Sequence, residues 1–172
     1  MHKQSYLPYA EDFNFHFIQI PYSDENFSFV ILLPKIRNKL KSFLKKVNGK
    51  QFLSLLRKSD IAQVNLDIPK FKIESSQNYV QLFKNMGLMT PFKSSEDYSL
   101  ITSKMLINQI RQKSRIEISE RGTGVTKDVF VKMLPLSDLF PIHSKKIAIR
   151  VDHPFLFFVL YKEQILLNGI YQ

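Results

Sequence analysis

The chain has 172 residues, 44% of them hydrophobic and 13% aromatic, and its 25 Lys and Arg against 15 Asp and Glu give a formal net charge of +10. This composition excludes an intrinsically disordered chain, and the absence of Cys excludes a disulfide framework and a thiolate metal site or nucleophile. The length predicts one domain covering residues 1–172. The charge favours an anionic partner, but the basic residues are spread out, with the densest cluster at residues 35–46.

The first 34 residues predict a β-hairpin. Residues 13–20 alternate apolar and polar side chains, as a strand does. Residues 21–26 contain Pro, Asp and Asn, which are typical of a turn. The apolar run at residues 27–33 then predicts a buried strand that ends at Pro34.

The next segment changes to a helical period. Apolar residues recur at helical spacing, with lysines on the opposite face: Leu40, Phe43, Leu44 and Val47 against Lys39, Lys41, Lys45 and Lys46. Asn48 and Gly49 are predicted to end this helix, and residues 52–56 indicate a second short helix. The lysines are interpreted as a solvated face, with an anion site as the alternative.

The middle of the chain predicts a strand and a helix. Residues 64–73 alternate, so they are predicted to form one strand with Pro69 at a bulge or an edge. Ser75 and Ser76 are predicted to cap a helix that Gly87 closes. Residues 98–105 are predicted to form a loop.

The last third predicts a long strand, a long connection and a hairpin. The strand covers residues 106–119, and about thirty residues with weak structural signals follow it. The hairpin has strands at residues 155–161 and 164–171 with a turn at Lys162 and Glu163. Strands and helices do not alternate regularly, so the predicted fold class is α+β.

Several short motifs carry a further signal. They include Ile-Pro-Lys-Phe-Lys-Ile at 68–73, Ile-Glu-Ile-Ser-Glu-Arg-Gly-Thr at 116–123 and Asp-His-Pro-Phe at 152–155, together with segments at 9–11, 20–22, 30–34, 82–88 and 97–100. In this order they resemble the C-terminal half of the serpins, a family of protease inhibitors. The resemblance implies a partial serpin fold of mostly antiparallel sheets with a few short helices and an exposed reactive loop at about residues 121–145.

The resemblance also implies a function and its mechanism. A suicide-substrate inhibitor of serine or cysteine endopeptidases offers an exposed loop, and after cleavage the loop inserts into a sheet as an extra strand. The strain that this releases distorts the acylated protease. Such an inhibitor has no catalytic residues, so the chain is expected not to be an enzyme and to need no cofactor or metal.

The family spacing places the reactive bond at Leu136–Ser137. Leu136 would favour a chymotrypsin- or elastase-like serine protease, or a cathepsin-type protease. Two alternatives stay open: a neighbouring bond such as Lys132–Met133, or an ordinary surface loop that is never cut productively. The hinge of the loop is implied at five residues, namely Glu120, Gly122, Thr123, Val125 and Lys127.

Two further positions correspond to family features. Lys70 is the implied salt-bridge partner of Glu120 at the root of the loop, against the alternative of two unpaired surface charges. Gln112 stands where the family has a histidine in the hydrogen-bonded shutter through which the sheet opens. Glutamine can still donate and accept hydrogen bonds, but the shutter is altered.

The sequence shows which side chains of the loop would lie on the same face if the loop inserted as a strand. In a strand, Thr123, Val125, Lys127, Val129 and Val131 would share one face. Burial of an unpaired Lys127 ammonium is costly, and the segment lacks the run of alanines usual in inhibitory serpins. These departures support the alternative function, a non-inhibitory serpin-like binding protein without loop insertion.

The length of the chain sets further expectations. It matches only half of a serpin, so it is interpreted as a truncated member that lacks the strands between which a loop would insert. Apolar sheet faces and edges are then expected to be exposed and to favour self-association. A third hypothesis, a basic module that binds a polyanion, rests on the net charge alone.

Targeting signals are weak. Residues 1–8 lack an apolar core, so no signal peptide is predicted, although the family implies an extracellular location. The apolar run at residues 155–161 is too short to span a membrane.

Overall fold

A computed structural model describes residues 1–45, 48–93, 106–119 and 146–172, and the backbone of residues 122–124. The strands are β1 His2–Glu11, β2 Phe15–Pro21, β3 Phe27–Pro34, β4 Asp60–Asp67, β5 Phe71–Asn78, β6 Arg111–Ser119, β7 Gly122–Gly124, β8 Lys146–Arg150, β9 Phe155–Tyr161 and β10 Gln164–Tyr171. The α-helices are α1 Leu40–Leu44, α2 Gly49–Lys58 and α3 Val80–Asn85, with short 3-10 helices at Arg37–Lys39 and Thr90–Phe92.

These elements form two compact units. The first contains Met1–Phe71 and Glu117–Gln172, and the second contains Lys72–Ile116. A seven-stranded sheet has the order β10-β9-β3-β2-β1-β4-β8, and a three-stranded sheet has the order β5-β6-β7. The sheets with their few short helices confirm the predicted α+β class.

Both predicted hairpins are present. β2 pairs antiparallel with β3 from Phe15↔Pro34 to Pro21↔Ser28. β9 pairs with β10 over residues 155–161 and 164–171, and β9 also pairs antiparallel with β3. The C-terminal hairpin therefore completes the sheet that the N-terminal hairpin begins.

The core of the first unit lies between the large sheet and helices α1 and α2. Its buried residues come from both elements: Ala10, Phe15, Phe17, Val30, Leu32, Leu40, Phe52, Leu55, Leu156, Phe158 and Leu160. Phe43, Leu44 and Leu56 pack against this cluster from the same two helices. Both helices thus bury their apolar stripe on one face of the sheet.

The predicted end of the first helix is wrong. α1 stops at Leu44, and Asn48 caps the start of α2, because its side-chain oxygen accepts a hydrogen bond from the Gln51 backbone N–H at 2.9 Å. Gly49 is therefore the first residue of α2 and not a C-terminal cap. Residues 46–47, which include Lys46 and Val47, lie outside the described residues.

The predicted middle strand and helix cap also need correction. Pro69 separates β4 from β5 and does not lie within one strand, since it cannot donate to a ladder of hydrogen bonds. Ser75 and Ser76 belong to β5; it is Asn78 whose side-chain oxygen accepts from the Val80 backbone N–H at 3.2 Å. Gly87 closes this region as predicted, with a φ of +92° that favours glycine.

Three strands differ from the sequence prediction. β1 was not predicted, and β6 begins at Arg111 and not at residue 106. β8 lies in the segment that gave weak signals. The predicted loop at 98–105 lies outside the described residues.

Gly169 in β10 provides a direct test of the closing hairpin. A Cβ at this position would come within 3.0 Å of ring carbons of Phe157, which is only 2% exposed and stacks with Phe29 at 5.9 Å between ring centroids. We expect Gly169→Ala to lower the free energy of unfolding by about 2 kcal/mol, because the ring cannot move without disturbing the core. Urea denaturation measures this change.

Gly49→Ala is the matched control. Nothing lies within 4 Å of a Cβ there, and the position is helical, so alanine should leave the free energy of unfolding unchanged or raise it slightly. Equal losses in the two variants would show that β10 does not pack on β9 as described.

Candidate functional site

The two ends of the predicted reactive loop lie on described strands. At the start of the loop, β7 forms an antiparallel pair with β6, with Glu117↔Gly124, Ile118↔Thr123 and Ser119↔Gly122. After the loop, β8 begins at Lys146. Residues 122–124 therefore run antiparallel to the end of β6.

The pairing of β7 bears on one expectation from the sequence. The strands between which a loop inserts were expected to be absent from this chain. That absence stays a prediction, while two of the predicted hinge residues, Gly122 and Thr123, pair with β6 through their backbones.

The side chains of β6 are exposed at the beginning of the strand and partly buried towards its end. Ile116 and Ile118 are buried at 3% and 4% exposure, whereas Arg111, Gln112 and Lys113 are exposed. Side chains two residues apart share a face of a strand, so Ile116 and Ile118 form one buried face at the end of β6 that pairs with β7. Towards Arg111 the strand is open to solvent.

The described family positions lie at separate places. Lys70 is exposed, at the end of the connection between β4 and β5. Gln112 is exposed near the start of β6, and its Nε2 donates to Ser114 Oγ at 3.4 Å. The remaining predicted site residues lie outside the described residues: Glu120, Val125, Lys127, Leu136 and Ser137. The Lys70–Glu120 salt bridge and the reactive bond therefore stay predictions.

An anchor fixes the chain immediately after the loop, and the sequence did not reveal it. β8 pairs in parallel with β4 from Gln63↔Lys146 to Asp67↔Arg150, and the Val151 backbone N–H continues the ladder to Asp67 O at 2.8 Å. The next residue, Asp152, forms an ion pair with Arg37.

His153 adds to this anchor. Its Nε2 lies 2.7 Å from Pro34 O, and its Nδ1 lies 3.0 Å from Asp152 Oδ1. The hydrogen bond from His153 and the nearby Arg37 guanidinium hold the pKa of Asp152 below its ordinary value. The Asp-His-Pro motif thus ties the far end of the loop to β3.

Other chemistry finds little support in the described part of the chain. Across residues 1–45, 48–93, 106–119 and 146–172, no group of three or more His, Asp or Glu is arranged to hold a metal ion. No described helix is long and apolar enough to cross a membrane.

Asp152→Asn tests the anchor. The folded-state pKa of Asp152 is lowered, so its stabilising effect is present above the ordinary value of 3.8 and is lost as the pH falls through the folded-state pKa. We expect the variant to unfold at a lower temperature than the wild type at pH 7, and the difference to vanish at about pH 2. Thermal unfolding followed by circular dichroism at both pH values measures it.

Asp60→Asn serves as the control, since Asp60 is exposed and forms no ion pair with a described residue. A loss at pH 7 that persists unchanged in acid would mean that Asp152 does not act through its charge.

Comparison with known proteins places this geometry in a family. A family model described as Serpin (serine protease inhibitor) matches residues 1–171. Iripin-2 of Ixodes ricinus is 26% identical over 152 residues, which cover 88% of this chain and 37% of that protein. The leukocyte elastase inhibitor of Homo sapiens is 30% identical over 165 residues, which cover 88% of this chain and 41% of that protein.

Solved structures agree with the sequence comparison. Serpin48 of the insect Tenebrio molitor, described as a highly specific serpin, superposes with a TM-score of 0.75 at 27% identity, covering 99% of this chain and 44% of that one. A structure of maspin gives a TM-score of 0.79 at 24% identity and shares the fold. The chain spans less than half the length of these proteins. With the family match over nearly its whole length, the chain belongs to the serpin family.

Proposed function

We propose that this chain provides the reactive-loop half of a suicide-substrate inhibitor of serine or cysteine endopeptidases. The observation that carries the proposal is the antiparallel pairing of Gly122–Gly124, at the start of the predicted loop, with β6. Residues that follow a strand in this way can extend it by continuing the same hydrogen-bonded ladder. Insertion of the cleaved loop would be that extension.

The register of β7 on β6 determines which residues would lie opposite each other in the extended strand. Continued past Gly124, it would place Val125 opposite Ile116, Lys127 opposite Ser114 and Val129 opposite Gln112. Directly opposed residues share a face of the sheet. Val125 would therefore meet a buried position, Lys127 a half-buried one and Val129 an exposed one.

Because Lys127 would meet only a half-buried position, the expected cost of burying its ammonium on insertion is lower. A lysine buried without a partner is costly, but a long side chain near the open end of a strand can keep its ammonium in water. Lys127 would then slow insertion without preventing it. In the proposal, Glu120 pairs with Lys70 at the root of the loop, and Gln112 occupies the shutter position.

We assign the bait bond to Leu136–Ser137 and the target to a chymotrypsin- or elastase-like serine protease or a cathepsin-type protease. The leucine suits an apolar primary pocket, and one relative carries the name leukocyte elastase inhibitor. The exposed apolar residues Ile165 and Leu166 of β10 support the predicted self-association of this half.

A non-inhibitory binding protein is the second candidate. Lys127 favours it, because this residue is the one charged member of the inserting face among Thr123, Val125, Lys127, Val129 and Val131. In that case a protease would cut the loop and leave, with no strand added to β6.

Incubation with chymotrypsin, elastase and a cathepsin of this chain joined to the N-terminal half of a serpin tests the main proposal. We expect a complex stable in SDS with at least one of them, cleavage after Leu136 by mass spectrometry, and a higher unfolding temperature of the cleaved chain. Complete cleavage with free active protease and no thermal gain would instead establish the non-inhibitory alternative.

Lys127→Ala tests the insertion face. Removal of the ammonium should speed insertion and raise the ratio of trapped to released protease by about tenfold, the effect of roughly 1.4 kcal/mol on competing barriers. Asp128→Ala is the control, since residue 128 is also charged but falls on the opposite face and should change the ratio little. Equal effects of the two substitutions would contradict the proposed register.

A further inference from the structure

The dipeptide Asn-Gly occurs twice in this chain, at residues 48–49 and at residues 168–169. Asparagine is chemically labile, because the backbone nitrogen of the next residue can attack its side-chain amide and close a succinimide ring. Glycine in the next position favours this attack, since it has no Cβ to crowd the ring and its backbone rotates freely. The rate of ring closure in the folded protein therefore depends on how the fold holds each dipeptide.

The first dipeptide is held in a position open to the reaction. Asn48 is exposed and is the N-cap of α2, and Gly49 is the first residue of that helix. Apart from its neighbours in the chain and in α2, no atom of the described residues lies within 4 Å of a Cβ at Gly49, so a local rotation meets no obstacle among them. The Gly49 N–H is also one of the first four of α2, which have no acceptor within the helix. The helical ladder therefore does not hold the attacking nitrogen.

The helix also favours the reaction at the Asn48 side chain. Asn48 Oδ1 accepts a hydrogen bond from the Gln51 backbone N–H at 2.9 Å, at the positive end of the α2 dipole. Attack at Cγ moves negative charge onto this oxygen, and a donor or a positive dipole end placed beside such an oxygen stabilises the charge. α2 thus gives Asn48 an electrostatic environment that an unfolded Asn-Gly lacks.

The second dipeptide is held in the opposite way. Asn168 and Gly169 lie within β10, and both pair with residues of β9. Gly169 packs against the Phe157 ring, whose carbons lie within 3.0 Å of a Cβ position there. Ring closure at Asn168 therefore requires β10 to leave its extended backbone and its packing on β9. The same fold exposes one Asn-Gly and protects the other.

We propose that Asn48 is a site of non-enzymatic deamidation that alters the N-cap of α2. The Gly49 nitrogen gives up its proton to water and bonds to Asn48 Cγ, and the Cγ–Nδ2 bond breaks to release ammonia. Water then adds to either carbonyl of the succinimide: hydrolysis at Cγ gives aspartate, and hydrolysis at the backbone carbonyl gives isoaspartate. The site uses no residue of the reactive loop, so it does not depend on protease inhibition.

The two products affect α2 differently. Aspartate keeps a side-chain oxygen at the N-cap and adds negative charge at the positive end of the helix dipole, so it preserves the start of α2. Isoaspartate routes the backbone through the former side chain, which removes the cap and adds one carbon to the backbone before the helix. α2 buries Phe52 in the core, and the Phe52 and Phe158 ring centroids are 4.5 Å apart. The isoaspartate form should therefore weaken the packing of α2 on the sheet.

The test is incubation of the 172-residue chain in mildly alkaline buffer made with isotopically labelled water, followed by peptide mapping and mass spectrometry. We expect Asn48 to lose its amide and take up the label at least about tenfold faster than Asn168, a ratio that a cost of roughly 1.4 kcal/mol for opening β10 already produces. In concentrated urea the two asparagines should react at similar rates, because the fold then holds neither dipeptide.

Gly49→Ala is the matched variant. Its methyl group crowds the succinimide but suits a helical position, so it should slow the reaction at Asn48 several-fold without lowering the unfolding temperature. After incubation, wild-type chain that contains isoaspartate at position 48 should unfold at a lower temperature than fresh chain, and incubated Gly49→Ala should not. Asn48→Asp should unfold at no lower a temperature than the wild type, because its side chain still caps α2.

Three results would overturn the proposal. Equal rates at Asn48 and Asn168 in the folded chain would mean that the fold does not distinguish the two dipeptides. An Asn48 that keeps its amide in the folded chain while it reacts in urea would mean that the N-cap protects it. An unchanged unfolding temperature despite isoaspartate at position 48 would mean that the cap does not hold α2 on the sheet.

Discussion

The backbone pairing between β6 and residues 122–124 is the constraint on which the account of function depends. It sets both the direction and the register in which further residues of the loop can add to the sheet. Because opposed residues in an antiparallel pair share a face, three pairs are enough to assign every later residue of the loop to one face or the other. The cost of inserting a residue such as Lys127 then depends on how buried the opposite position on β6 is.

The rest of the fold holds the two ends of the loop. β9 pairs with β3, which brings residues near the C-terminus beside a strand from the first hairpin, and Asp152 and His153 tie the chain after the loop to Arg37 and Pro34. Phe71, Phe155 and Tyr171 pack together with ring centroids 5.0 to 5.9 Å apart. The strand ends that follow the loop are thus secured by an aromatic core and by charge.

Sequence patterns predicted the elements whose signals are local. The hairpins at β2–β3 and β9–β10 are apolar runs bounded by turn residues, and they appear where expected. Gly49 was misassigned because Asn-Gly suits the end of one helix and the start of the next equally well. β1 was missed because Lys3, Gln4 and Pro8 interrupt its pattern, and its pairing with β2 and β4 compensates for them. The pairing of β7 with β6 arises from tertiary placement, which no local pattern contains.

Amide hydrogen exchange followed by mass spectrometry, before and after cleavage of the loop, tests the central claim most directly. If the loop extends the ladder on β6, amides within residues 125–129 should become protected after cleavage, about every second one, because one edge of the added strand faces β6. Protection should also increase along β6 from Gln112 to Ile116. Exchange at 125–129 that stays as fast after cleavage as in an unfolded chain would contradict insertion along this register.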